Sequence, residues 1–301
     1  MTDSPTQTAA TLDRVLSFSI PARDVRGRVV RLGPTLDTIL GVHDYPPALA
    51  HCLAEALVLT ALMGSMLKGE GDQLTMQAQG GDGLVRLLVC DYRDGALRGY
   101  VERSEHQPEA GMGANCTLAQ LFGGGHLAIT FDIAAGKRRY QGIVPLEGAS
   151  LAEAVENYFL QSEQIPTLAR TAIVSDGKRI RAGGLLVQHI PEGEDGRERL
   201  HVRFDHPEWE HVAILAGSLR HEELVDQELP LDDIVWRLFH EESEVRVTPG
   251  PLLTRGCRCS QDYYASVLAR FPSEERLEMA NDAGVIVVDC AFCSREFAIN
   301  P

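Results

Sequence analysis

Four cysteines near the C-terminal end constrain this chain more than any other feature. Cys257 and Cys259 lie in "GCRCS", Cys290 and Cys293 in "DCAFCS", a spacing of C-x-C-x30-C-x-x-C. They are four of seven cysteines in 301 residues. Two close pairs flanking a longer stretch offer four soft ligands, a set that suits tetrahedral Zn²⁺ at a Zn–S distance of about 2.3 Å. Between the pairs, residues 260–282 read as helical and 283–290 as a strand ending at Cys290. The spacing therefore predicts a compact module nucleated by one Zn²⁺ per chain, with Cys257, Cys259, Cys290 and Cys293 as ligands. Four thiolates on one Zn²⁺ leave a charge of about −2. Arg255, Arg258 and Arg295 lie near enough in sequence to offset part of it.

The spacing supports two readings, an inert zinc knuckle and a redox switch. A disulfide across one intervening residue is tight and strained, and strained disulfides are labile. Zinc holds its sulfurs as thiolates, the form that oxidants attack. Should each near pair close to a disulfide, the metal loses its ligands. Structural Zn²⁺ contributes about 10–16 kcal/mol in small finger peptides, and the core available to residues 251–301 is too small to replace it. Oxidation is then expected to melt the module.

The compartment matters to this argument. The first twenty residues carry Asp3 and Asp13 and no signal pattern. No apolar run of about 18 residues is evident. These features predict a cytoplasmic chain without a membrane span. In a reducing cytosol, clustered thiols point to metal or redox chemistry rather than permanent disulfides. The net charge of −15 opposes binding to nucleic acid or an anionic membrane.

Upstream, residues 1–190 read as one α+β domain. Residues 1–25 look like a ragged entry and 26–33 like a strand. The longest helical pattern runs through 35–68, with Pro46 and Pro47 at a helix start and Leu49, Leu53, Leu57 and Met63 in three- and four-residue steps. Its polar face is thin, so it is expected to be central and buried. Short β-rich runs follow at 73–80, 84–92, 96–102, 127–133 and 140–148, several separated by glycine turns. Residues 150–166 read as a helix opened by a Ser150/Glu153 capping box, and 168–191 return to strands.

Residues 191–250 are different in character. They hold 16 acids against 6 arginines, and so most of the net charge. Helical apolar steps occur at Val212, Leu215 and Leu219 and at Ile234, Val235 and Leu238. Five histidines fall here: His201, His206, His211, His221 and His240. This composition suits a metastable acidic helical linker that packs on a neighbour. "VTPGP" at 247–251 marks the expected boundary to the cysteine module, residues 251–301. The fold class is thus α+β: a long central helix packed on antiparallel sheet, a helical linker and a small zinc-binding domain.

Taken together, these segments resemble the heat shock protein 33 family of redox-regulated chaperones. The resemblance spans nearly the whole chain. It is carried by "HDYP" (43–46), "YQGIVPLEG" (140–148), "ENYFLQSEQIPT" (156–167), "AGGLLVQ" (182–188), "WRLFHEE" (236–242), "CRCS" and "DCAFC". It implies an ATP-independent holdase that is folded, zinc-bound and inactive when reduced. It implies disulfides joining Cys257 to Cys259 and Cys290 to Cys293 on oxidation. Zinc release, unfolding of the C-terminal region, binding of unfolded clients and homodimerisation would follow.

Other patterns carry less. Cys52, Cys90 and Cys116 are isolated and read as buried, inert thiols. His51 and Glu55 are one helical turn apart without a third partner and read as a chance surface pair. "FGGGH" (122–126) lacks the lysine of a phosphate loop and reads as a turn between helix and strand. No hydrolase elbow or zinc-protease motif is present, so no catalytic residue is expected and the chain is read as a non-enzyme. The connector histidines read as solvated. "YYASVLARF" (263–271) and "WRLF" (236–239) read as local core that doubles as client-binding surface once uncovered. A zinc-ribbon nucleic-acid binder is opposed by the acidic charge. A thiol oxidoreductase using "CAFC" is opposed by the missing βαβ setting.

Overall fold

The computed structural model describes residues 12–105, 113–177, 179–190 and 206–301. In chain order the core comprises β1 (Arg14–Ile20), β2 (Val25–Leu32), α1 (Pro34–Leu40), α2 (Pro47–Gly64), β3 (Gln73–Gly80), β4 (Val85–Arg93), β5 (Ala96–Arg103), α3 (Leu118–Phe122), β6 (Gly125–Ile133), β7 (Arg138–Pro145), α4 (Leu151–Tyr158), β8 (Thr167–Ser175) and β9 (Ile180–His189). Then come α5 (Pro207–Gly217), α6 (His221–Val225), α7 (Leu231–Phe239), β10 (Arg246–Leu252), β11 (Thr254–Arg255), α8 (Gln261–Leu268), α9 (Ser273–Glu278), β12 (Ile286–Asp289) and β13 (Glu296–Ile299).

Two sheets enclose α2. One has the order β10-β1-β2-β9-β8, the other β11-β5-β4-β3-β6-β7. The helix touches β2, β8 and β9 on one side and β3, β4 and β5 on the other. Apart from exposed Pro47 and half-buried His51 and Glu55, its residues are buried, which is why it shows no clean polar stripe. Contrary to the expectation of no membrane-length apolar run, α2 is long and apolar enough to cross a membrane; 83% of that stretch is buried inside the protein, as a core helix.

"AGGLLVQ" explains how two layers meet on one strand. A Cβ on Gly184 would lie 2.4 Å from Val58 Cγ1 of α2. A Cβ on Gly183 would lie 2.2 Å from the Leu224 carbonyl oxygen of α6 on the opposite face. Neighbouring residues of a strand point to opposite faces, so this glycine pair lets helices approach β9 closely from both sides. The capping reading at 150–153 is half met. The Ser150 hydroxyl accepts from the Glu153 N–H at 3.2 Å, but the Glu153 carboxylate accepts from Ala149, one residue earlier.

Two local expectations change. The ragged entry contains a regular strand, β1, whose buried Val15, Phe18 and Ile20 are not evenly spaced. A register shift between Arg14 and Leu16 against β10 breaks the alternation that sequence periodicity relies on. Residues 1–11 lie outside the described residues. The "VTPGP" stretch at the expected boundary forms strand: it lies in β10, which pairs antiparallel with β1 from Arg14↔Leu252 to Ser19↔Arg246.

The connector helices lie on the outer face of the first sheet. Trp209, Val212, Ala216, Leu224, Ile234, Val235, Leu238 and Phe239 pack on Phe18, Ile20, Val25, Val29, Leu185 and Val187. The apolar steps read from the sequence thus face the core, with Leu215 partly buried beside them. Phe239 meets Phe18 at a ring separation of 5.4 Å. Arg23 ties both ends of the connector, bonding Glu208 in the first turn of α5 and Glu242 after α7 (2.9 Å to the latter). "EGEDGRER" and His201 lie outside the described residues.

Candidate metal centre

The cysteine module is built around a small core of Leu268, Ile286 and Ile299, with Tyr264, Val288 and Phe297 packed against it. α8 is capped by Ser260, whose hydroxyl accepts from the Tyr263 N–H at 3.1 Å. β12 and β13 form a hairpin, Ile286↔Ile299 to Asp289↔Glu296, whose turn carries Cys290 and Cys293. Within that turn the Cys293 N–H donates to the Cys290 carbonyl at 3.1 Å. The other pair lies on the extended chain between β11 and α8.

These two segments bring all four predicted sulfurs within 4.8 Å of one another. Cys257 Sγ lies 3.3 Å from Cys259 Sγ and 3.6 Å from Cys290 Sγ, and Cys259 Sγ lies 3.4 Å from Cys293 Sγ. The edge of a tetrahedron with 2.3 Å Zn–S bonds is about 3.8 Å, close to these separations. All seven cysteines are free thiols. Contacts within a pair and across pairs are equally short, so distance alone selects no disulfide pairing. The group can hold a metal ion.

The electrostatics point the same way. Burial pushes the Cys259 thiol well up, and so do its hydrogen bonds to Cys257, Cys293 and Cys290. Burial also raises Cys293. Burial works against Cys290 too, but hydrogen bonds from the Tyr264 hydroxyl, the Phe292 backbone and the neighbouring thiols bring it down to about 7. One thiolate forms readily, while further negative charge in the cluster needs a cation.

The module docks on the second sheet. β11 runs parallel to β5, Thr254↔Ala96 and Arg255↔Leu97, and the Gly256 N–H donates to the Leu97 carbonyl at 2.8 Å. Phe292, between the two hairpin cysteines, meets the Tyr100 ring edge-on at 4.9 Å and lies 4.0 Å beneath the Arg98 guanidinium. Arg98 Nε donates to Asp91 at 2.7 Å, and Arg258 donates to the same carboxylate oxygen at 3.2 Å. Ser294 contacts His43 at 3.3 Å, and His43 stacks on Tyr45, both within "HDYP". Of the three arginines expected to offset the sulfur charge, Arg258 is therefore engaged by Asp91 of β4. The docking residues Asp91, Arg98, Tyr100 and Phe292 escaped sequence reasoning; the one available signal was an aromatic between two ligands.

Of the three isolated cysteines expected to be buried, Cys116 is instead half-buried. Cys52 and Cys90 are buried and their thiols pushed well up, first by burial. His51 and Glu55 are not a surface pair. They line a cavity of about 630 Å³ with Cys116 and with His221 of α6. Glu55 accepts from the Ala152 N–H and from Thr171 Oγ1 at 3.2 and 3.1 Å, tying α2 to α4 and β8. The turn at 122–126 joins α3 to β6 as expected. Tyr264 belongs to the module core, whereas Trp236 is 65% exposed and stacks on His240.

Comparison with known proteins agrees with this architecture. The family model described as Hsp33 protein matches residues 13–300. The chain is 40% identical to a 33 kDa chaperonin of Caulobacter vibrioides, covering 100% of this chain and 99% of the relative. It is 36% identical to that of Yersinia pestis, covering 95% and 91%. The crystal structure of the 33 kDa chaperonin of Thermotoga maritima shares the fold, with a TM-score of 0.78 over 96% of this chain and 95% of that one, at 23% identity.

Proposed function

This chain belongs to the Hsp33 protein family, and from that premise we propose that it is a redox-regulated, ATP-independent holdase of the cytoplasm. In the idle form Cys257, Cys259, Cys290 and Cys293 hold one Zn²⁺. The observation that carries this reading is the closed set of four sulfurs within 4.8 Å, with no oxygen or nitrogen ligand among them. That donor chemistry fits Zn²⁺. Bound there, the ion would supply two positive charges and cross-link two strands of chain that share only a small core.

Oxidation acts on the thiolates. Cys257 with Cys259, and Cys290 with Cys293, each lose two electrons to an oxidant such as hydrogen peroxide and form one S–S bond; the peroxide takes two protons and leaves as two waters. Sulfurs bonded to each other no longer offer a ligand set. The hairpin turn and the 256–260 segment then lose what joins them, and the contacts to β5 and to the connector weaken in sequence. Unfolding client proteins bind the apolar surface so uncovered, and the active form dimerises. The acidic surface favours protein clients over nucleic acid.

The test counts metal and thiols together. Peroxide should remove four thiols and release one zinc per chain while conferring suppression of client aggregation, and thiol reductant should restore the idle form. Zinc retained in fully oxidised protein, or oxidised protein that leaves aggregation unchanged, refutes the reading.

A further inference from the structure

The connector and the cysteine module are joined by a strand. β10 is the outermost strand of the first sheet and pairs with β1 alone among the described residues. Six of its seven residues are exposed, Val247 by 41% and Leu252 by 56%. Its hold is therefore the backbone ladder, helped by buried Leu253 just beyond it, whose N–H donates to the Asp13 carbonyl at 2.6 Å. Pro249 and Pro251 remove two of its own donors. A proline-bearing edge blunts a sheet against further pairing.

The strand beneath has the opposite character. β1 reads "RVLSFSI", with no proline, glycine or acid. Such a segment pairs readily when its edge is open. Phe18 adds an aromatic ring that Phe239 of α7 meets from the connector side.

We propose that β10 is a removable cover, and that the uncovered edge of β1 binds extended segments of unfolding polypeptides by strand addition. The proposal rests on the chaperone reading above and names its client surface. β10 is tethered to α7 on one side and to β11 and Cys257 on the other. Once both flanks melt, a short ladder weakened by two prolines, with the Leu253 anchor at its end, is what competes with a client strand. Main-chain bonds to β1 are indifferent to client sequence, which suits a holdase. Phe18 and Leu16 add preference for segments with alternating apolar residues. In the closed form β10 itself occupies the position that the client strand would take.

The test reads amide exchange in full-length protein, reduced, oxidised, and oxidised with carboxymethylated, permanently unfolded α-lactalbumin. Residues 14–20 should lose protection about tenfold or more on oxidation and regain it when the unfolded polypeptide is added. The double substitution Ser17→Lys and Ser19→Lys should weaken binding of that polypeptide about tenfold with thiol loss on oxidation unchanged. Continued protection of 14–20 in oxidised protein overturns the proposal, as does a client that restores none. Protection that returns with protein concentration alone makes a second copy the occupant and overturns it too. Aggregation of a thermally unfolding client is followed on the same samples. Oxidised protein that fails to suppress it sinks the chaperone reading, whereas suppression with 14–20 still exchanging sinks strand addition only.

Discussion

The Arg31 side chain of core strand β2 donates from Nε to the Leu224 carbonyl of connector helix α6 at 2.9 Å. The same guanidinium reaches the Leu229 and Glu223 carbonyls at 3.0 and 3.1 Å. Arg31 is fully buried. This charged group, sealed between two layers, spends its donors on the last turn of α6 and on the α6–α7 turn. The Glu223 and Leu224 carbonyls, in the last turn of a helix, have no intrahelical partner to fall back on.

Replacing Arg31 with methionine is expected to loosen the connector without oxidation. Leaving buried carbonyls unpaired costs about 2–4 kcal/mol, offset in part by relief of a buried charge. Amide exchange should quicken across 207–239 while 47–64 stays protected, and reduced protein should suppress aggregation. Unchanged exchange across 207–239 would show that the clamp is not what holds the connector.

The glycine pair of β9 separates two layers. Gly183→Ala presses on the Leu224 carbonyl, and Gly184→Ala on Val58 of α2. Overpacking of this kind costs about 1–3 kcal/mol. The first change should lift α6 and leave the cooperative unfolding of the core nearly as it was. The second should lower the midpoint of core unfolding in denaturant. Equal effects on both transitions would mean that connector and core unfold as one unit.

Acid should undock the connector in a defined window. His189 is buried beside His206 (5.1 Å) and Trp209 (6.3 Å), and neither ring nitrogen has a partner among the described residues. Burial first, then His206, lowers its pKa below 6.5, against Asp24 and Glu208, which raise it. A base whose folded pKa is depressed favours the folded state above its unfolded value, and that preference fades as pH falls below 6.5. Glu242 is held down by Arg23 and His211 despite its burial. Its contribution is present above 4.5 and is lost as pH falls through its folded value. Exchange in 207–239 should therefore rise first below pH 6.5 and again below 4.5. His189→Gln should flatten the first step only; a first step unaltered in that variant excludes His189 as its source.

Phe292→Ala removes the ring between Arg98 and Tyr100 and spares every sulfur. The lost cation–π and aromatic contacts are worth about 1–2 kcal/mol, which corresponds to roughly tenfold in an equilibrium. Zinc loss to a competing chelator should accelerate by about that factor, with stoichiometry kept at one per chain. Cys257→Ser should instead abolish stoichiometric binding, since three thiolates cannot complete the set. Chelator kinetics matching wild type in Phe292→Ala would show that docking on β5 does not support the site.

Much of the fold was legible in local pattern. Residues 73–80 form β3 with the expected limits, and the buried helix begins at Pro47 as its prolines indicate. These features depend on neighbours in sequence, where periodicity and capping act. A bulge in β1 breaks the alternation that would mark it as a strand. "VTPGP" has the composition of a turn, and only its partner strand makes it part of a sheet.

The sequence by itself singled out the four sulfurs that come together and could hold a metal ion. Soft donors in two close pairs leave few other uses for Cys257, Cys259, Cys290 and Cys293, and their chemistry travels with the residue type. Tertiary structure alone decided how that set is wired to the rest of the chain. Phe292 beneath Arg98, Arg258 on Asp91, and Arg31 beneath α6 link residues far apart in the chain, Arg31 and Leu224 by 193 positions. Such contacts arise from the packing of layers, and no local periodicity encodes which side chain will face which.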